Sequence, residues 1–134
     1  MIVEDVMDEV ADQLDTIAGL RVFAFPPDSL TPPAAIVSYP DEIVYDATYG
    51  RGMDRLTLPV VVVVGRLSDR ATKGLLTDYT DGTGGGSIKA VVEAGTYTAF
   101  DTVRVTRAEF DAIRIGSTDY LAGMFDLDVA GQGA

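Results

Sequence analysis

Asp126 and Asp128 stand two residues apart, a spacing that puts two carboxylates on one face of an extended strand. Such a pair can do acid–base work or hold a divalent cation. No third ligand accompanies them, and a solvated strand face is the plainer reading. Asp78 and Asp81, followed by glycines, suggest a calcium loop, but the ligand spacing and terminal glutamate are missing. Ser29, Ser38, Ser68, Ser87 and Ser117 have no histidine to activate them and no Gly-x-Ser-x-Gly elbow. The chain has neither histidine nor cysteine, so it lacks the commonest general base, the commonest transition-metal ligand and any thiol nucleophile. Asp81-Gly82-Thr83-Gly84-Gly85-Gly86-Ser87 resembles a phosphate cradle only in its glycines. It carries no Gly-Lys-Ser/Thr and follows a helical segment instead of a strand. The residues therefore predict no enzyme, no metal and no cofactor.

The elements that position these groups are organised around Arg55-Leu56-Thr57-Leu58-Pro59-Val60-Val61-Val62-Val63-Val64-Gly65. Consecutive valines are stiff at χ1 and favour a strand. The run is too short to span a membrane, which takes about 20 apolar residues as a helix. Its first half alternates, with Leu56, Leu58 and Val60 on one face and Thr57 and Pro59 on the other. Its second half does not alternate, so both faces there require cover. Pro59 has no N–H and predicts a bulge or an unpaired edge.

Around this strand the pattern predicts a helix over 3–18, with Val3, Met7, Val10, Leu14 and Ile17 as its apolar stripe and Gly19 as its stop. Strands are expected over 21–25 and 34–39, joined by the stiff segment Pro26-Pro27-Asp28-Ser29-Leu30-Thr31-Pro32-Pro33. Residues 42–46 continue extended. A second helix begins near Ser68 as N-cap, with Ala71, Leu75, Leu76 and Tyr79 toward the core. Ser87 caps a short helix, Ile88 to Ala94, ended by Gly95. Three strands follow over 100–107, 110–115 and 119–129, the last with Leu121, Phe125, Leu127 and Val129 inward and Tyr120, Met124, Asp126 and Asp128 outward. Residues 130–134 read as a flexible tail. The expected fold is a single α+β domain over 1–134, with a mixed, largely antiparallel sheet and two to three helices on one face.

The chain has 134 residues, enough for one domain, and at 47% hydrophobic and 23% charged it is globular in composition. Its net charge of −11 argues against gripping nucleic acid. An acidic wall would instead repel a polyanion and let it slide past. The acidic start, with Glu4, Asp5, Asp8 and Glu9, is the reverse of a signal peptide and predicts a cytoplasmic chain. Asp5, Asp8, Asp12, Asp126 and Asp128 are the candidates for an acidic channel or surface face. Tyr45, Tyr49, Arg51, Met53, Arg66, Arg70 and Lys73 are the candidates for an interface between subunits or rings: the segment before the valine strand because Tyr, Met and Arg are enriched where proteins meet, and Arg66, Arg70 and Lys73 as a basic stripe on the outer side of the second helix that can pair with a neighbour's acidic helix.

The whole chain resembles tail terminator proteins of long-tailed, siphovirus-type actinobacterial phages. The resemblance rests on the acidic first helix, Phe23-Ala-Phe-Pro-Pro-Asp28, Asp46-Ala-Thr-Tyr-Gly-Arg-Gly-Met-Asp-Arg55, Leu58 to Gly65, and Gly95-Thr-Tyr-Thr-Ala-Phe-Asp-Thr-Val103. It implies a small α+β fold that assembles as a homo-oligomeric ring, a hexamer in that family. The ring caps the tail tube protein, ends tube growth and meets the head–tail connector protein. DNA passes through without sequence-specific binding, and no membrane is involved. The implied location is the tail–neck junction of the virion, and the host cytoplasm during assembly. Two alternatives stay open: a head-completion or connector protein beside the portal, and a small bacterial ligand-binding α+β domain.

Overall fold

The computed structural model describes residues 2–24, 32–45, 53–68, 70–115 and 117–132. In chain order these form α1 (Val3–Leu14), β1 (Arg21–Phe23), β2 (Ala34–Val37), β3 (Glu42–Val44), β4 (Met53–Arg66), α2 (Arg70–Thr80), α3 (Ile88–Ala94), β5 (Thr102–Ile115) and β6 (Thr118–Gln132). The strands make one six-stranded sheet in the order β1-β2-β4-β6-β5, with β3 also paired to β4. Among the described residues only the β1–β2 pair is parallel. The fold is thus α+β with a mixed, mostly antiparallel sheet, as the pattern predicts.

The valine strand is its centre. Leu56, Leu58, Val60 and Val62 point toward the helices and are essentially unexposed, as are Phe125, Leu127 and Val129 beside them on β6. The stripe of α1 closes over them through Val6, Met7, Val10, Ala11 and Leu14. Ile88 and Val92 of α3 and Leu76 and Tyr79 of α2 complete the same cluster. Thr72, not Ala71, is the buried residue in the first turns of α2, while Ala71 is exposed. The Thr72 hydroxyl donates to the Arg66 carbonyl at 2.9 Å. It lies so close to Gly65 that a Cβ there would stand 2.6 Å from it, so this glycine allows α2 to meet the end of β4.

On the opposite face Val63 is also unexposed, between its cross-strand neighbours Ala34 and Ala122. The cover that the valine run requires on its second face is therefore supplied at this row within one chain. Pro59 creates no bulge. The shift in β4 falls between Val63 and Gly65. Pro59 occupies the gap between the end of β2 and the start of β3, where its carbonyl accepts the Ser38 N–H and no ladder asks for a donor.

Several boundaries differ from expectation for local reasons. α1 ends at Leu14 instead of 18, because the Thr16 hydroxyl and N–H both turn back to the Gln13 carbonyl and Ile17 N–H bonds Leu14, tightening the last turn. Gly19 follows in the left-handed region at φ 80°. The strands expected over 100–107 and 110–115 are one strand, β5. A bulge at Thr106 shifts the phase, so Val105 and Ala108 both face the helices and the alternation looks broken in sequence. Residues 130–132, expected in the tail, continue β6 opposite Met53–Arg55. The Pro32–Pro33 peptide, in the segment expected to be stiff, is cis. Pro26 to Thr31 lie outside the described residues.

Candidate functional site

The first candidate surface is the outer face of α1. Asp5, Asp8, Asp12 and Asp15 are exposed there, opposite the buried stripe. Asp8, Asp12 and Asp15 border a shallow groove of about 350 Å³ whose apolar side is Ala11, Val22 and Ala24. Glu9, on the same helix, has a structural task. Its carboxylate accepts the backbone N–H groups of Thr98 (2.8 Å) and Ala99 (2.6 Å) and the Thr98 hydroxyl (2.8 Å). Burial alone would push the Glu9 carboxyl up. The three hydrogen bonds outweigh it and hold the group below its ordinary value. The strap it fastens carries Tyr97, stacked on Phe100 with ring centroids 4.4 Å apart. The Tyr97 hydroxyl donates to the Val92 carbonyl, and burial, with the Glu9 charge nearby, pushes it up to about 12.

The second surface is the sheet face away from the helices. Asp126 and Asp128 do share it, but neither stands alone. Asp128 is gripped by Arg55 through two contacts, one of them Nε to Oδ1 at 3.3 Å. The carboxylate in turn pushes the Arg55 guanidinium further up. Asp126 meets Arg107 at 3.0 Å, and Arg107 also pairs with Glu109. These four strands lie side by side because β3, β4, β6 and β5 are hydrogen-bonded in that order. A groove of about 460 Å³ crosses them, lined by Glu42, Val44, Arg55, Leu56, Thr57, Thr106 and Asp128. The acidic candidates therefore fall on two opposite sides of the molecule. Among the described residues no cation pairs with Asp5, Asp8 or Asp12 on the helix face. Asp126 and Asp128 belong to an ion-paired strand face, which the sequence hides because Arg55 and Arg107 are distant in the chain.

The third set, the interface candidates, also divides. Met53 opens β4 and Arg66 closes it, about 43 Å apart along a strand of this length. Tyr45 is 69% exposed at the Met53 end, where the exposed Val44 adds apolar surface that the sequence did not single out, as does Tyr39 beside the middle of β4. Arg66, Arg70 and Lys73 are exposed at the other end, around the start of α2. Tyr49 and Arg51 lie outside the described residues, as does most of the loop containing them.

In the 81–87 loop, Asp81 accepts the Thr83 N–H and its carbonyl takes the Ser87 hydroxyl, so its polar groups serve the turn before α3. Ser87 caps α3 as predicted, accepting the Ala90 N–H at 3.0 Å. At the far end of α3, Glu93 accepts the Val105 N–H at 2.9 Å and pairs with Lys89. Burial raises its carboxyl, and the Lys89 and Val105 contacts more than reverse that, leaving it lowered. Among the described residues there is no group of three or more Asp or Glu placed to hold a metal ion, and no helix is long and apolar enough to cross a membrane.

Comparison with protein-family models gave no match, and no curated protein matches the chain.

Proposed function

We propose that this chain is a structural virion protein of the tail-terminator type, a ring subunit that caps a phage tail tube and joins it to the head connector while DNA passes through. The resemblance in sequence suggests the role. The observation that carries it furthest is the separation of charge on a compact α+β subunit. The outer face of α1 is an uninterrupted acid surface, whereas Arg66, Arg70 and Lys73 cluster at the end of β4 and the start of α2. A subunit with opposite signs on different elements can bind the next copy head to tail, and such heterologous contacts close into rings. The net charge of −11 suits a channel that a polyanion crosses without being held.

Light scattering of the purified protein, alone and with tail tube protein, tests this reading. The expected result is a hexamer, or a monomer that assembles only on tube ends and stops their growth. A protein indifferent to tubes would overturn it. Binding to a portal-side connector instead would favour the neck reading, and a monomer with a small ligand would favour a binding domain.

A further inference from the structure

The two edges of the sheet are complementary to each other. The register runs straight across it: Val22 on β1 is level with Ala35, Val62, Gly123 and finally Phe110 on β5. One row away on one side, Arg21 is level with Asp111. One row away on the other, Phe23 is level with Glu109. β1 runs antiparallel to β5, because β1, β2 and β6 share one direction and β4 and β5 the other.

The backbone at both edges points outward at the same row. Arg21 N–H bonds the Pro33 carbonyl, so Arg21 faces β2 and Val22, by alternation, faces away. On β5 the Ala112 N–H is taken by the side chain of Asp111 at 2.8 Å, so Ala112 faces away from β6, and so does Phe110 two residues earlier. The middle of the sheet gives the same phase. The carbonyls of Thr57 and Pro59 face β2 and β3, hence Val62 faces β6, Gly123 faces β4 and Phe110 faces outward. Side chains match as well. Phe110, 59% exposed, lies on the same side of the sheet as Val22, which with Ala24 lines the acid-bordered groove beside α1. Arg21 and Asp111 are both exposed on the other side. Glu93 already occupies the β5 edge at Val105 and the Asp111 side chain takes the Ala112 N–H, which leaves the Phe110 row between them for a partner strand.

We infer that β5 of one copy pairs antiparallel with β1 of the next, continuing the sheet from subunit to subunit. Phe110 and Val22 form the hydrogen-bonded pair, Arg21 faces Asp111 as an ion pair, and the Phe110 ring enters the groove beneath α1. This edge pairing is heterologous and rests on the ring reading above, whose contact it specifies.

The chain has no cysteine, so an engineered pair reports cleanly. Arg21 and Asp111 of adjacent copies would form a non-hydrogen-bonded cross-strand pair, whose Cα separation of about 4.5 Å permits a disulfide. Within one chain they are four strand spacings apart, about 19 Å, and cannot be bridged. The R21C/D111C variant, its fold checked by circular dichroism, should give a ladder of covalent multimers under mild oxidation on a denaturing gel. Either single variant should give none beyond a dimer. In the native background, Asp111→Arg should weaken self-association about tenfold or more, and adding Arg21→Asp should restore it. Multimers in solution without a ladder would overturn the edge pairing and leave the ring reading standing. A ladder without tube capping would uphold the pairing and overturn the terminator reading. A folded monomer that gives no ladder, with or without tubes, and caps no tube ends would overturn both.

Discussion

The two faces of one sheet carry the same strands and very different chemistry. On the helix side, alternate residues of β4 and β6 are apolar and sealed: Leu56 with Val129, Leu58 with Leu127, Val60 with Phe125. On the far side the intervening residues grade from sealed to polar along the strands. Val63 between Ala34 and Ala122 is unexposed, Val61 between Ile36 and Met124 is half-buried, and Pro59 and Thr57 stand opposite Asp126 and Asp128. The first face supplies stability through burial. The second is organised by ion pairs, which contribute little in solvent and mainly fix which charges are presented outward. An alternating strand thus separates holding the fold from displaying a surface, residue by residue.

The largest expected effect lies on the sealed face. Leu127→Ala removes a fully buried side chain from the centre of the cluster and should cost about 2–5 kcal/mol in a denaturant titration. Met124→Ala, three residues away on the half-buried face, should cost clearly less. Equal losses would mean that the far face is as firmly packed as the near one, and would erase the contrast.

This contrast was legible wherever the alternation of residue types was clean. Leu56, Leu58 and Val60, the outward Met124, Asp126 and Asp128, the α1 stripe and the Ser87 cap all follow from period and capping chemistry. It was illegible where one residue breaks phase. Thr106 splits β5 into two apparent strands, and Thr72 replaces Ala71 at the helix–strand contact because Gly65 leaves room for a hydroxyl there. The candidate sites were less legible still. Residue type and charge put Met53 and Arg66 in one candidate set, although a long strand holds them apart, and nothing in the residue pattern showed that Arg55 and Arg107 would pair with the two strand aspartates. Nor does sequence reveal that Arg21 and Asp111 share a row, since that depends on the register of four strand pairs.

An intermediate effect is expected at Glu9, which joins the helix layer to the strap before β5. Its carboxyl is lowered in the folded state, so its contribution is fully present above the ordinary value of 4.5 and is lost as pH falls through the lowered folded value. Glu9→Gln keeps an oxygen acceptor but replaces the other with a donor facing the Ala99 N–H. We expect a loss of about 1–2 kcal/mol at pH 7, discounted for partial exposure. The gap to the native protein should close as pH falls below 4.5 and through the lowered folded value, where the native carboxyl protonates. Thermal unfolding of both proteins across that range measures it, and a pH-independent gap would assign the loss to packing instead of charge.

The smallest effect is expected at the polar end of the far face. Asp126→Asn keeps the shape of the side chain and removes the charge that Arg107 meets at 3.0 Å, but Arg107 retains Glu109 as a second partner and both cation and carboxylates are partly solvated. The change should amount to about 1 kcal/mol or less at low salt and shrink further at high salt, because screening weakens exposed pairs first. A double-mutant cycle with Arg107→Ala isolates the pair from the effects of each substitution alone. A coupling well above that size, unaffected by salt, would mean that the Arg107 network is shielded and holds β5 onto β6. The far face would then be a second structural core, and its display of charge would be secondary.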